Sequence, residues 1–173
     1  MFETFFRVIL QRRTFSLLLL LEIGLAYVIY QNVFLINKLT SMPILDMEFG
    51  YSIDRVNEIL GAYSPEAWAR YEIIQIADII HPAVYASLIG ALIWVMADGE
   101  RWRWLALLAL ATALFDWGEN VMIWRMTSAN LPVDAVTAEM SNVLSILKHS
   151  LLALTFVALL LMFLRRLGQA LFY

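Results

Sequence analysis

Asp116, Glu119 and Asn120 stand together in the stretch LFDWGEN, inside a run of chain that is otherwise apolar enough to sit in lipid. Positions 112, 116, 119 and 120 follow the i, i+3, i+4 spacing of one helix face, which adds Thr112 to the group. Two more stripes repeat this spacing. Gln75, Asp78, His81 and Tyr85 form one; Asn142, Ser145 and His149, with Lys148 beside them, form the other. Carboxylates next to histidines can exchange protons with a bound molecule. The same acids, in excess over the bases, can hold a cation, and histidines on two helices can ligate a metal or a haem iron.

The stripes need helices to bring them together, and the composition says of which kind. The chain is 62% hydrophobic and only 16% charged, with a mean hydropathy of +0.73. Soluble domains have about 45–50% apolar residues. Apolar runs near 20 residues cross a hydrocarbon core about 30 Å thick. Four such runs occur, at Thr14–Ile36, Glu72–Ala97, Trp102–Trp124 and Val143–Leu164. The expected fold is an all-α integral membrane protein: one four-transmembrane-helix bundle over residues 1–173, with short extracytoplasmic helices capping its outer face. If span three leaves the membrane near Trp124, its polar triplet lies within about 12 Å of the outer surface. Spans two and four enter from that side too, so all three stripes share one slab.

Charge distribution orients the bundle. Arg7, Arg12, Arg13, Arg101, Arg103, Arg165 and Arg166 flank one side, while Asp46, Glu48, Asp54, Glu58, Glu66, Asp134 and Glu139 mark the other. The positive-inside rule then places both termini in the cytoplasm, with a bacterial inner (plasma) membrane as the expected location. Trp94, Trp102 and Trp104 are expected at the inner interface, and Trp68 and Trp124 at the outer one. The N-terminal apolar run is too long for a signal peptide, contains Glu22 and lacks a small-x-small cleavage pattern, so it is expected to remain as span one. With no cysteine, thiolate metal sites and disulfides are excluded. No basic nucleic-acid-binding feature is present.

The loops carry their own punctuation. MFETFFRVILQRR alternates aromatic and charged residues at helical spacing, as an interfacial helix or an extension of span one would. Ser52 caps a helix over about 52–60, with Val56, Ile59 and Leu60 on one face and Gly61 as a left-handed stop. Ser64 and Pro65 start another, expected to run unbroken into span two, with a kink where Pro82 leaves the Asp78 carbonyl without its donor. ADGER is a tight turn joining spans two and three. NLPVDAVTAEM starts a helix over about 132–140, continuous or not with span four. Together, 50–71 and 130–140 form a lid over the slab, with the acids of DMEFGY and Tyr51 at its edge.

A charge at the bilayer centre costs about 2.5–3.5 kcal/mol on insertion scales, so these groups must face the bundle interior and one another. Lys148 is expected to pair with Asp116 or Glu119, and His81 or His149 to bond a remaining carboxylate. Gly118 allows close helix approach. Gln31 and Asn32 fall at the depth of the cluster. Glu22 falls deeper and is expected to have a separate partner or a wet cleft.

These residues support several readings. The ligand-binding set is Asp78, His81, Tyr85, Asp116, Glu119, Asn120, Lys148 and His149, with Tyr51, Tyr71 and Trp117 at an aromatic rim. It suits a lipophilic or cationic ligand, or a membrane partner to which the chain is an accessory subunit. A membrane enzyme doing acid–base chemistry on a lipid or isoprenoid would use Asp78, His81, Asp116 and Glu119. In overall layout, and in YEIIQIADIIHP, a carboxylate-bearing helix ending in proline, the chain is similar to the emopamil-binding-protein superfamily of sterol isomerases and sigma receptors. That likeness implies buried acids around a lipophilic ligand and assigns no individual residue a role. His81 and His149 are the histidines open to bis-histidine haem or, with Asp78, Asp116 and Glu119, to a divalent metal. No cofactor is required by the sequence. An ion path is disfavoured by the apolar inner halves of spans three and four, and a purely structural polar network stays open. The partners expected are the bilayer and a membrane protein or second copy, not nucleic acid.

Overall fold

The computed structural model describes residues 2–97, 100–128 and 131–172, without the side chains of 100, 101 and 172. Residues 98 and 99, at the centre of the expected ADGER turn, therefore lie outside the described set. Among the described residues the regular structure is helical throughout. The order is α1 (Phe2–Ile9), α2 (Arg12–Thr40), a 3-10 turn (Leu45–Met47), α3 (Ile53–Gly61), α4 (Pro65–Ala77), α5 (His81–Met96), α6 (Glu100–Arg103), α7 (Ala106–Ser128) and α8 (Ala135–Phe172).

Three of these helices, α2, α7 and α8, are long and apolar enough to cross a membrane, and the pair α4 and α5 qualifies as a fourth if it counts as one bent span. Their apolar surface faces outward. Leu17, Leu20, Ile23, Tyr27 and Tyr30 on α2, and Leu154, Val157, Leu160 and Leu161 on α8, are each more than half exposed. An apolar girdle of this extent is not tolerated in water, and it matches a membrane protein.

The helix expected to run unbroken from Pro65 through span two is instead interrupted, at the kink expected before Pro82. The chain breaks between Ala77 and His81, and the two halves meet at 44°. Pro82, in the first turn of α5, has no N–H to give the Asp78 carbonyl, and its ring crowds that carbonyl out of helical geometry. Two side chains of α7 take over the freed groups. Asn120 Nδ2 donates to the Asp78 carbonyl (3.1 Å), and Trp117 Nε1 donates to that of Ile79 (2.9 Å).

The two serine caps are where the sequence places them, and Asp134 supplies a third. Ser52 accepts from the Arg55 N–H, Ser64 from that of Ala67, and Asp134 from that of Thr137. The Thr137 side chain first, and then this N–H, hold the Asp134 carboxyl below its ordinary pKa. The helix begun there is not a separate cap over 132–140: it runs on as α8 through residue 172. The second correction concerns Gly61. It ends α3 without a left-handed turn, for Ala62 follows in the right-handed helical region. The positive φ angles fall instead at Ser41 (57°), which closes α2 just before Pro43, and at Gly50 (77°). A Cβ at Gly50 would sit 3.4 Å from Asn142 Oδ1, so the loop there passes directly over α8.

Packing divides the molecule into two apolar ends. At the capped end, Ile36, Leu45, Val56, Ile59, Tyr71, Ile123 and Val133 share one core. At the end that carries both termini, Phe6 is fully buried, stacked on Trp94 at 4.9 Å. It lies against Gly90, whose added Cβ would come within 2.9 Å of the ring. The N-terminal segment is thus a separate helix packed on α5, not an extension of span one. Between the ends, Ala86, Ala109 and Ala113 bring α5 close to α7. The polar slab lies between this alanine layer and the capped core.

Candidate functional site

Lys148 of α8 is the hub. Its side chain is 8% exposed, and its ammonium lies 2.5 Å from Glu119 Oε2 and 3.4 Å from Asp116 Oδ1. It also donates to the Asp46 carbonyl at 3.2 Å. Both acids expected as partners of Lys148 therefore meet it. Each carboxylate has a phenol on its other oxygen: Tyr85 donates to Asp116 Oδ2 (2.8 Å), and Tyr51 to Glu119 Oε1 (3.3 Å). Gly118 admits α8 as expected, with Leu144 Cδ2 3.2 Å from where a Cβ would stand.

A second centre forms around His81. Its Nδ1 lies 3.2 Å from Asp78 Oδ1 and its Nε2 lies 3.1 Å from Glu22 Oε1. Of the alternatives expected for Glu22, the separate partner is corrected, since Glu22 closes on the same histidine as Asp78, while it does line a cleft. The break before α5 explains it: the chain re-enters helix at His81 and turns the imidazole across the bundle toward α2. Glu22 Oε2 is buried without a hydrogen-bond partner.

The third contributor is the loop from 42 to 51, which does not stay at the edge of the slab. Ile44 and Leu45 are buried, and they carry Asp46 inward, where Tyr71 donates to Oδ2 at 2.8 Å. Burial pushes the Asp46 carboxyl up to about 6, with Lys148 opposing and Asp78 reinforcing the rise. One face of α8 holds the loop in place. Ser145 donates to the Glu48 carbonyl (2.9 Å), and Asn142 Oδ1 accepts from the Tyr51 N–H (2.8 Å). Arg55 bridges Glu48 and Glu58 at the surface, and these two bonds raise its pKa further. Burial likewise raises the phenols of Tyr51 and Tyr63.

Both centres open on one cleft of about 430 Å³, lined by Glu22, Asp46, Asp78, His81, Tyr85, Asp116, Lys148 and His149 on its polar side. Ile29, Ile74, Ile89, Leu152 and Phe156, with Ile44 and Met47 from the loop, form the apolar remainder. Four carboxylates thus face it directly, with Glu119 behind Lys148.

Several expected members, His149 at the cleft wall among them, bond to groups other than the acids. His149 reaches no carboxylate; its Nδ1 donates to the Ser145 carbonyl (2.9 Å) and its ring meets Phe49 edge-on. Asn120 and Trp117 support the helix break and line a separate pocket of about 280 Å³ with Gln75. Gln75 itself donates to Thr127, while Thr112 and Asn32 turn back to carbonyls of their own helices. Gln31, on α2, does not line the cleft. Among the described residues no group of three or more histidines and carboxylates is arranged to hold a metal ion. Of the two histidines considered for haem, His81 has both ring nitrogens on carboxylates, while His149 uses Nδ1 on a backbone carbonyl. The residues sequence reasoning left out of the site are Glu22 and Asp46. The second had a signal, an apolar ILDM between Pro43 and Gly50 in an otherwise polar loop. Compared with protein-family models, curated proteins and solved structures, the chain matches none.

Two outcomes follow from this geometry. Lys148→Met leaves Glu119 and Asp116 buried without their cation and is expected to cost about 3–5 kcal/mol of stability in detergent, measured by thermal or denaturant unfolding. Adding Glu119→Gln should recover part of that loss, and equal stability of the wild type and Lys148→Met would remove Lys148 from the hub. For Asp46, a carboxyl that ordinarily titrates at 3.8 titrates here near 6, so the folded chain holds the proton more tightly than the unfolded one. Its contribution to stability is therefore greatest below about pH 4 and falls as pH rises through 6. Asp46→Asn, which keeps the acceptor for Tyr71, should gain roughly 2–3 kcal/mol on the wild type between pH 4 and pH 7. Parallel stability curves for the two proteins would contradict this.

Proposed function

We propose that this chain is a four-span membrane protein whose cleft binds the cationic head of an amphiphile, with the aliphatic part of the ligand along the apolar wall. The observation that carries the reading is the charge balance at the cleft. Lys148 is committed to Asp116 and Glu119, which leaves Glu22, Asp78 and Asp46 facing the cleft with His81 as the nearest base. Uncompensated carboxylates in a low-dielectric bundle favour a positive partner. A protonated amine would find acceptors at Glu22 and Asp78, an aromatic edge at Tyr85, and aliphatic contact at Ile29, Ile89, Leu152 and Phe156.

A second reading, acid–base chemistry on a lipophilic substrate, is favoured by one feature. His81 is suspended between two carboxylates at the cleft wall, an arrangement able to pass a proton from one side to a bound molecule.

The binding reading is tested by titrating the protein, in a neutral detergent, with dodecylamine and with dodecanol as a neutral match, following heat of binding and thermal stability. The amine should bind and stabilise while the alcohol does neither, and Glu22→Gln should weaken amine binding about tenfold, the scale of one charge-assisted hydrogen bond. Equal binding of amine and alcohol, or an unchanged affinity in Glu22→Gln, would overturn it.

The seven arginines at the end bearing both termini support a cytoplasmic location for that end, with the cleft in the opposite leaflet. A chain without cysteine makes this simple to check. Glu66→Cys on exposed α4 should react with an impermeant maleimide in intact cells, and Gly168→Cys only after permeabilisation. The reverse pattern would invert the orientation.

A further inference from the structure

The end of the bundle remote from the cleft holds a second cavity, a groove of about 510 Å³ between the start of α7 and the last turns of α8. Its floor is apolar, formed by Leu105, Leu108, Leu154 and Ala158, and its mouth is basic, with Arg165 and Arg166. Trp102 and Trp104 also line it. We propose that this groove is a binding site for an anionic phospholipid, one acyl chain lying along the floor and the phosphate held at the arginine mouth. The inference rests on the membrane reading of the fold but not on the cleft or its ligand.

Three observations point to that occupant. The first is length. From Leu154 to Arg165 the helix axis rises about 16 Å, roughly half of a hydrocarbon core about 30 Å thick, so the floor matches one leaflet and the arginines fall at headgroup level. The second is charge. Among the described residues this end carries Arg7, Arg12, Arg13, Arg101, Arg103, Arg165 and Arg166 against Glu3 and Glu100, seven arginines to two acids. The third is how Arg166 is fixed. It donates to the carbonyls of Val95 (2.7 Å) and Met96 (3.3 Å), the exposed end of α5. Those contacts hold the guanidinium at the rim while engaging it with neutral groups, so its charge is available to a phosphate oxygen. The flanking tryptophans suit the same depth, where an indole has one face in hydrocarbon and its N–H in the polar layer.

The test is native mass spectrometry of the protein released from nanodiscs of equimolar phosphatidylcholine and phosphatidylglycerol. The wild type should retain phosphatidylglycerol in preference. Arg166→Gln, which keeps an amide donor for the α5 carbonyls but loses the charge, should reduce that preference about fivefold. Ala158→Trp, which fills the floor, should lose the retained lipid altogether, while Arg125→Gln at the capped end should behave as wild type. Thermal unfolding of each variant separates loss of lipid from loss of fold, and Arg166→Gln carries the test if Ala158→Trp does not fold. Equal retention of the two lipids by the wild type, undiminished phosphatidylglycerol on folded Arg166→Gln, or a lipid-free dimer would each overturn the proposal.

Discussion

An ammonium group buried in an apolar bundle has to be met by acids, and Lys148 imposes that condition on everything around it. Its neighbours Asp116 and Glu119 lie on α7, and its third contact is the main chain of the loop at Asp46. One side chain therefore ties two long helices and an inserted loop to a single point. The acids in turn need their second oxygens satisfied, which explains the hydroxyls of Tyr85 and Tyr51 reaching in from other segments. The face of α8 from Ser141 to His149 forms the backbone of this arrangement, because Ser141, Asn142, Ser145 and Lys148 each bind a different part of the 46–51 loop or its partners.

The break between α4 and α5 serves the same centre. A straight helix would satisfy its own carbonyls and leave Asn120 and Trp117 without acceptors at this depth. Pro82 exposes two carbonyls, α7 supplies two donors, and the helix resumes with His81 directed at α2. A backbone irregularity inside a membrane-spanning region is tolerated where neighbouring helices re-satisfy the freed groups. Here it also converts the Asp78, His81 and Glu22 side chains, which lie on different segments, into one hydrogen-bonded unit beside the cleft.

The two ends of the bundle have different characters. The capped end is closed by aromatic packing, with Tyr63, Trp68 and Tyr71 meeting edge to face. The end with the termini is closed by α1, whose Phe6 ring takes the space left by Gly90, and it leaves an apolar groove beside α8. Acids are gathered near one end and arginines at the other. A cation and an anionic lipid headgroup would thus be drawn to opposite leaflets.

Much of this was readable before any coordinates. The apolar runs and their lengths determine a helical membrane architecture, since hydrocarbon admits no unsatisfied backbone and helices satisfy their own. The serine caps, the close approach at Gly118, the freed Asp78 carbonyl and the pairing of Lys148 with its acids follow from local spacing and from the cost of a lone charge. What tertiary structure decided was which groups of similar depth meet. Glu22 was placed apart because Pro82 announces a kink but not its direction, and the 44° bend turns His81 toward α2. Asp46 was placed in a surface loop because the apolar ILDM between Pro43 and Gly50 signals burial without stating against which helices the segment folds. His149 and Asn120 were grouped with the acids by helical stripe, yet the rotation of each helix sends them to backbone carbonyls. Periodicity assigns a residue to a face, but which neighbour that face meets depends on helix rotation, bends and loop insertion, and these are set by packing among segments far apart in the chain.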